Sequence, residues 1–174
     1  MSKSVFFKGK EFNVSETGEL ELSSLGIKSI LEIQGLEKLK NLKSLNLGNN
    51  DITEIEGLDH LINLESLFLE QNKIKEISGL RNLTKLKTLW LYGNEFTKIK
   101  GLKALINLEC LLLNSNNISV LEGLENLEKL SMLSFDDTDI PSSVLNECGG
   151  VETMDMVEGL MRDARKCVEY CQKT

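Results

Sequence analysis

The sequence is short of histidine, tryptophan and proline, with one residue of each among 174. We expect the lone histidine, His60, to be a solvated surface residue rather than a catalytic one. The sequence also lacks a glycine-rich phosphate-binding loop, a G-x-S-x-G nucleophile motif and any spacing typical of zinc ligands. We therefore predict no catalytic residue, no metal, no cofactor and a protein that is not an enzyme.

The four cysteines form no C-x-x-C pair, and their spacing does not match the disulfide framework of a small secreted protein. Cys167 and Cys171 are one helical turn apart. We interpret them as small apolar residues on the buried side of a helix rather than as a metal site. No apolar run is long enough for a secretory signal or for crossing a bilayer. These absences predict a cytoplasmic protein without a membrane anchor.

The chain also has no excess of basic residues, because its formal net charge is -7 and its pI is about 4.9. Direct binding to nucleic acid normally requires a basic patch, so nucleic acid is not an expected partner. The length and a hydrophobic content of 41% suit one soluble domain. We expect a monomer whose partner is another protein.

What the sequence does contain is a repeat of 22 residues between Leu42 and Ile140, with the pattern L-x-x-L-x-L-x-x-N-x-I. The second leucine of the units occupies Leu45, Leu67, Leu89, Leu111 and Leu133. The alternating leucines predict a short strand with one buried face, and stacked units would place these strands side by side in a parallel sheet. A Gly-Leu step later in each unit permits a tight reversal, and the remaining residues are enough only for short helical or 3₁₀ turns on the convex side.

One asparagine recurs where each unit leaves its strand. An asparagine amide can pair backbone groups that such a turn would otherwise bury without partners. We predict a structural ladder composed of Asn50, Asn72, Asn94 and Asn116.

The pattern divides the chain into three segments: an N-terminal cap with an irregular first repeat over 1–30, the repeats over 31–140, and a C-terminal cap over 141–174. The irregular repeat fits the period only with a shift of about three residues. A strand or hairpin with a turn at Thr17-Gly18 is predicted to cover the first leucines. Its apolar residues are Phe6, Phe7, Phe12 and Val14.

In the C-terminal cap, Pro141 interrupts the repeat. Val151, Met154 and Met156 reproduce the leucine spacing once more and predict a further short strand. An apolar stripe from Leu160 to Cys171 predicts an amphipathic helix that closes the core.

These residues resemble the 22-residue class of leucine-rich repeats that is typified by the regulatory subunit of type-1 protein phosphatase, over about Leu20–Ile140. The resemblance implies an α/β solenoid with a curved parallel sheet on its concave face, short 3₁₀ or α turns on its convex face, and a cap at each end. It also implies a non-enzymatic scaffold or regulatory adaptor that binds a protein on the concave face. The segment from Pro141 departs from the caps of those relatives, so no particular partner is transferred.

If the leucines point inward, the residues between them face out of the concave sheet. One outward column has Phe68, Trp90 and Leu112 in successive units, although Asn46 and Ser134 show that the repeat does not require apolar residues there. We predict a partner site consisting of an apolar patch with an acidic margin. Its residues are Phe68, Glu70, Trp90, Tyr92, Leu112, Asn114 and Asp136.

Three alternatives stay open. The chain could be a secreted or surface-exposed microbial recognition module, which oxidised cysteines would favour. It could be a regulatory subunit of a phosphatase or a GTPase-type enzyme. At the predicted site itself, the rings could cover one another or contact a terminal segment of the chain.

Overall fold

The computed structural model describes residues 3–136, 138–148, 152–153, 160–161 and 163–173. The strands are β1 (Ser4–Phe7), β2 (Lys10–Asn13), β3 (Glu19–Glu21), β4 (Ser44–Asn46), β5 (Ser66–Phe68), β6 (Thr88–Trp90), β7 (Cys110–Leu112), β8 (Met132–Ser134), β9 (Glu152–Thr153) and β10 (Leu160–Met161), and the helices are α1 (Ser142–Glu147) and α2 (Ala164–Lys173). Strands β3 to β8 form one parallel sheet in chain order. The predicted solenoid with a parallel sheet is confirmed.

The leucine period fixes the register of this sheet. Leu45 pairs with Leu67, and Leu67 pairs with Leu89, so each strand lies one repeat from its neighbour. These central leucines are completely buried between two partly exposed residues. Because every unit buries the same positions against the next unit, the leucines and isoleucines form one continuous core along the solenoid. Phe96 and Phe135 replace aliphatic residues of the repeat and are also completely buried.

The recurring asparagine pairs backbone groups of adjacent units. The Oδ1 atom of Asn72 accepts a hydrogen bond from the Ile52 N–H at 3.0 Å, and its Nδ2 atom donates to the carbonyl oxygens of Leu47 and Leu69 at 3.0 and 3.1 Å. The corresponding bonds are present at Asn50, Asn94 and Asn116. Each amide thus supplies partners to buried groups that would otherwise have none.

The convex side consists mainly of single turns. In a typical unit the Leu61 N–H donates to the Leu58 carbonyl oxygen, and the Leu64 N–H donates to that of Leu61, both at 2.9 Å. Within the residues that the structure describes, 3₁₀ helices form only in the first unit, over Ile30–Glu32 and Leu36–Lys38. The short-turn prediction is therefore correct, with fewer helical turns than expected.

The N-terminal cap is a hairpin, but its turn lies elsewhere than predicted. Strands β1 and β2 pair directly, so the reversal is at Lys8 and Gly9 rather than at Thr17-Gly18. Strand alternation buries Val5 and Phe7 and leaves Phe6 42% exposed, so the prediction that Phe6 covers the core is wrong. The backbone of Phe6 instead exchanges two hydrogen bonds with Gln34, which fixes the hairpin to the first repeat.

The C-terminal cap also differs from the prediction. Helix α1 follows Pro141 directly, and α2 begins at Ala164 rather than near Leu160, because Leu160 and Met161 form β10. Strand β10 pairs antiparallel with β9 and lies beside β8. Helix α2 buries Ala164, Cys167 and Val168 against the core, as the apolar stripe predicted. The proposed strand residues Val151, Met154 and Met156 lie outside the described residues.

Among the helices that the structure describes, none is both long enough and apolar enough to cross a bilayer.

Candidate interaction site on the concave face

Three aromatic side chains lie together on the concave face and are called the aromatic strip: Phe68, Trp90 and Tyr92. Phe68 and Trp90 end adjacent strands and pair in register. Their ring centroids are 4.7 Å apart in an edge-to-face arrangement, and those of Trp90 and Tyr92 are 6.3 Å apart. All three rings are partly exposed. Such ring pairs contribute roughly 0.5–1.5 kcal/mol beyond their buried area, so the strip is an ordered surface.

Leu112 does not extend the strip, contrary to the prediction. It is only 2% exposed although it lies outside the main core, and the following rung, Ser134, is 1% exposed. Both residues belong to the end of the sheet where β10 lies beside β8. Leu112 is therefore removed from the predicted surface.

The other predicted polar residues, Asn114 and Asp136, lie in the loops after β7 and β8 and are half-buried. The Asn114 carbonyl oxygen accepts the Gly93 N–H at 2.9 Å, which joins it to the loop that carries Tyr92. The Ser134 hydroxyl is 3.3 Å from the Asp136 carboxylate, which accepts a hydrogen bond from it. Asp136 therefore belongs to the covered end of the sheet rather than to the margin of the aromatic strip. Its sequence neighbour Asp137 lies outside the described residues.

The Trp90 indole has a partly exposed ring but a buried N–H. In the described part of the chain, no atom accepts a hydrogen bond from Nε1. Burial raises the pKa of the neighbouring Cys110 thiol. The indole N–H lies near this thiol and partly lowers its pKa, although the two groups do not have the geometry of a hydrogen bond. A buried donor without an acceptor costs about 1–3 kcal/mol, so Trp90 occupies a position that packing, not polar pairing, stabilises.

Glu70 folds back over the preceding rung. Its carboxylate occupies the space beside Gly48 that a β-carbon at that position would need. Burial raises the pKa of Glu70, its own backbone N–H lowers it, and the negative charge of Glu21 raises it further. The Oε2 atom is buried and receives no hydrogen bond from the residues that the structure describes. The fold thus holds a carboxylate where ionisation is unfavourable.

Glu21, which the sequence analysis did not select, is the second carboxylate of this site. Its Oε2 atom accepts a hydrogen bond from Asn46 Nδ2 at 2.8 Å, and its Oε1 atom accepts one from the Ser23 N–H at 2.8 Å. Asn46 Oδ1 in turn accepts the Gly48 N–H at 2.9 Å, which orients the amide. The three-residue shift of the first repeat hid Glu21, and pairing Leu20 with Leu45 would have revealed it.

The described residues include no group of three or more His, Cys, Asp or Glu that could hold a metal ion. The single histidine has a structural contact instead. His60 Nε2 is 2.8 Å from the Leu36 carbonyl oxygen, so the ring N–H donates to the adjacent turn, and the side chain is partly buried where a solvated one was expected.

Comparison with known proteins identifies the repeat. The family model described as "Leucine Rich repeats (2 copies)" matches residues 62–104. The repeats are leucine-rich repeats. None of the curated proteins matches the sequence at a significant level.

Similar solved structures have the same solenoid. They include the functional domain of InlJ from Listeria monocytogenes, at 23% identity and a TM-score of 0.60 over 71% of this chain and 26% of that one. Internalin C2 from the same organism is 28% identical, with a TM-score of 0.56 over 71% of this chain and 63% of that one. A third similar structure is that of TLR13 in a complex with a single-stranded RNA. It is 27% identical, with a TM-score of 0.59 over 67% of this chain and 18% of that one. This chain spans less than two thirds of each of these proteins, and the resemblance to the phosphatase regulatory subunit stays a prediction.

Proposed function

We propose that this leucine-rich repeat protein is a non-enzymatic interaction module that holds a protein partner against the aromatic strip. The observation that supports the proposal is the contact of Phe68, Trp90 and Tyr92 on adjacent rungs, at positions where the repeat does not require aromatic residues. Contiguous exposed apolar surface on a protein with a well-formed core is typical of binding sites, whereas isolated apolar residues are ordinary.

The strip alone gives a moderate driving force. Complete burial of an aromatic side chain removes about 150–250 Å². If roughly a quarter of ~200 Å² is still exposed on each ring, covering all three contributes ~4 kcal/mol at about 25 cal/mol/Å². A micromolar complex requires about 8 kcal/mol in addition to the cost of association. The partner must therefore also contact surface outside the aromatic strip.

We also propose that the protein acts in the cytoplasm as a monomeric adaptor or regulatory subunit. The cysteine spacing, which does not match a secreted disulfide framework, supports the location. The similarity to internalins favours a second candidate, a secreted or surface-exposed microbial recognition module that uses the same face. Disulfide bonds in the protein purified from its native source would favour the second candidate.

The test compares Trp90→Ala with Ile106→Ala, a truncation of an apolar residue that is 55% exposed and outside the strip. Partners captured by the wild-type chain are identified, and the affinity of the purified partner is measured by calorimetry. Trp90→Ala should weaken binding by more than about 2 kcal/mol, as a central aromatic of an interface does, and Ile106→Ala should leave it unchanged. Equal affinity of the partner for wild type, Trp90→Ala and Ile106→Ala would contradict a binding site at the aromatic strip.

A further inference from the structure

The N-terminal half of the concave face, from β3 to β6, combines carboxylates with aromatic rings and has no cation. Glu19 and Glu21 are exposed on β3, and Glu70 follows β5. In the described chain, the outward positions of β3 to β6 and the positions two residues beyond each strand contain no lysine or arginine. The negative charge of this surface is therefore not compensated by the strands that carry it.

The carboxylates of this surface are held in place by the fold. The hydrogen bonds from Asn46 and Ser23 fix both oxygens of Glu21. The missing β-carbon of Gly48 creates the space in which Glu70 lies. Groups that are positioned before binding lose little conformational entropy when a ligand arrives, so they contribute more to affinity than mobile surface carboxylates do.

Neither Glu21 nor Glu70 is paired with a cationic side chain among the residues that the structure describes. Glu21 is close enough to raise the pKa of Glu70, and Glu70 Oε2 is buried without a donor. A cavity of about 590 Å³ lies beside Glu21, and its lining includes Glu19, Glu21, Asn46 and Phe68. A cationic side chain placed here would reduce the repulsion between Glu21 and the nearby Glu70.

We propose that this cavity receives an arginine side chain from an extended segment of the partner protein, with the guanidinium donating to Glu19 and Glu21, which line the cavity, and stacking on the Phe68 ring. The inference rests on the proposed function, because it names the chemistry of the partner for the same face. A guanidinium fits this site better than an ammonium group. It is planar, has five N–H donors for two carboxylates, and stacks on an aromatic face at the same time.

A nucleic acid is a poor occupant of the same surface. Its phosphates require lysine or arginine, and the carboxylates of β3 and Glu70 would repel them. The RNA bound in the TLR13 complex is a property of that receptor, and the charge of this face argues for a basic protein segment instead.

The experiment selects displayed random peptides on the immobilised full-length chain and measures the affinity of the strongest binders by isothermal titration calorimetry. A selected peptide is then remade with citrulline, the uncharged isostere, in place of each arginine. The Glu21→Gln/Glu70→Gln double variant removes the proposed contact with Glu21 and the neighbouring charge of Glu70. The Glu54→Gln/Glu76→Gln double variant, at two exposed convex positions, changes the net charge equally and serves as the control.

We expect arginine-rich peptides, a loss of about tenfold or more on citrulline substitution or in Glu21→Gln/Glu70→Gln, and no change in the control variant. Selected peptides without arginine that still require Trp90 would overturn the arginine site while leaving the proposed function intact. Peptides that bind Trp90→Ala and wild type equally would overturn both the arginine site and the proposed function. A selection that yields no binding peptide would overturn the arginine site alone. Binding of a single-stranded oligonucleotide that Glu21→Gln/Glu70→Gln strengthens would also overturn the inference.

Discussion

The carboxylate of Glu70 lies over the α-carbon of Gly48, in the space that the β-carbon of any other residue would occupy. The absence of one side chain on the rung of β4 therefore determines where a charged group on the rung of β5 is buried. This relationship has no counterpart in the leucine pattern, which specifies only the inward positions.

Gly48→Ala tests this relationship. The added methyl group meets the end of a flexible side chain, so we expect Glu70 to swing toward solvent and the free energy of unfolding to change by less than about 1 kcal/mol. Its pKa should fall toward the ordinary 4.5, because burial is the main cause that raises it. Carboxyl-carbon NMR titration measures the pKa, and chemical denaturation measures the stability.

Gly101→Ala is the contrasting control. Gly101 has a φ of +81°, and a β-carbon there would overlap the Ile77 carbonyl oxygen, which cannot move away. This variant should lose roughly 1–3 kcal/mol or more. Equal losses in the two variants would mean that the contact between Gly48 and Glu70 is as rigid as a backbone contact.

Glu70→Gln should change how stability depends on pH. The pKa of Glu70 is raised in the folded protein, so between the ordinary 4.5 and the folded value the folded state binds more protons than the unfolded state. Wild-type stability should fall as pH rises through this window, by no more than about 1 kcal/mol because solvent partly screens the carboxylate. The groups that face Glu70 are Glu21 and Tyr92, and neither supplies a positive charge.

The measurement is urea denaturation of wild type and Glu70→Gln from pH 4 to pH 8. The amide does not titrate, so the stability of the variant relative to wild type should increase with pH. A constant difference across the range would contradict an unfavourable environment for the Glu70 charge.

The ladder can be tested with two neighbouring asparagines. Asn116 accepts the Phe96 N–H at 3.1 Å and donates to the Leu91 and Leu113 carbonyl oxygens at 3.1 and 2.9 Å. Asn116→Ala should lose about 3 kcal/mol or more, because several buried backbone groups lose their partner together. Asn117→Ala, at an exposed position, should change stability by less than about 0.5 kcal/mol. Thermal and chemical denaturation of both variants provide the comparison.

Much of the fold could be predicted from the sequence because the repeat shows directly which side chains point into the core. Leu45, Leu67 and Leu89 recur every 22 residues, and the sheet pairs them in that register. Because successive side chains along a strand point to opposite faces of the sheet, Trp90 must lie on the face opposite to Leu89. A periodic pattern of this kind needs no information from distant residues.

The candidate site was less predictable because its exposure depends on segments outside the pattern. Leu112 has the same parity as Phe68 and Trp90, yet it is buried, and β10, which lies beside the neighbouring strand β8, is outside the repeat period. Glu21 was missed because 25 residues, not 22, separate Leu20 from Leu45. Both cases arise at the caps, where the solenoid ends and the repeat no longer determines the contacts.

The thiols of the C-terminal cap should react slowly in the folded protein. Burial is the main cause that raises the pKa of Cys167 far above its ordinary value and that of Cys171 to about 11. The thiolate is the reactive form, so at pH 8 both side chains are almost entirely in the unreactive thiol form. Titration with a disulfide reagent should show slow modification of the native chain and rapid modification of four thiols after unfolding in guanidinium chloride. Cys167→Ser and Cys171→Ser assign the individual rates. Rapid native reaction at Cys167 would mean that α2 does not stay packed on the core, because only an opened cap would release that thiol from burial.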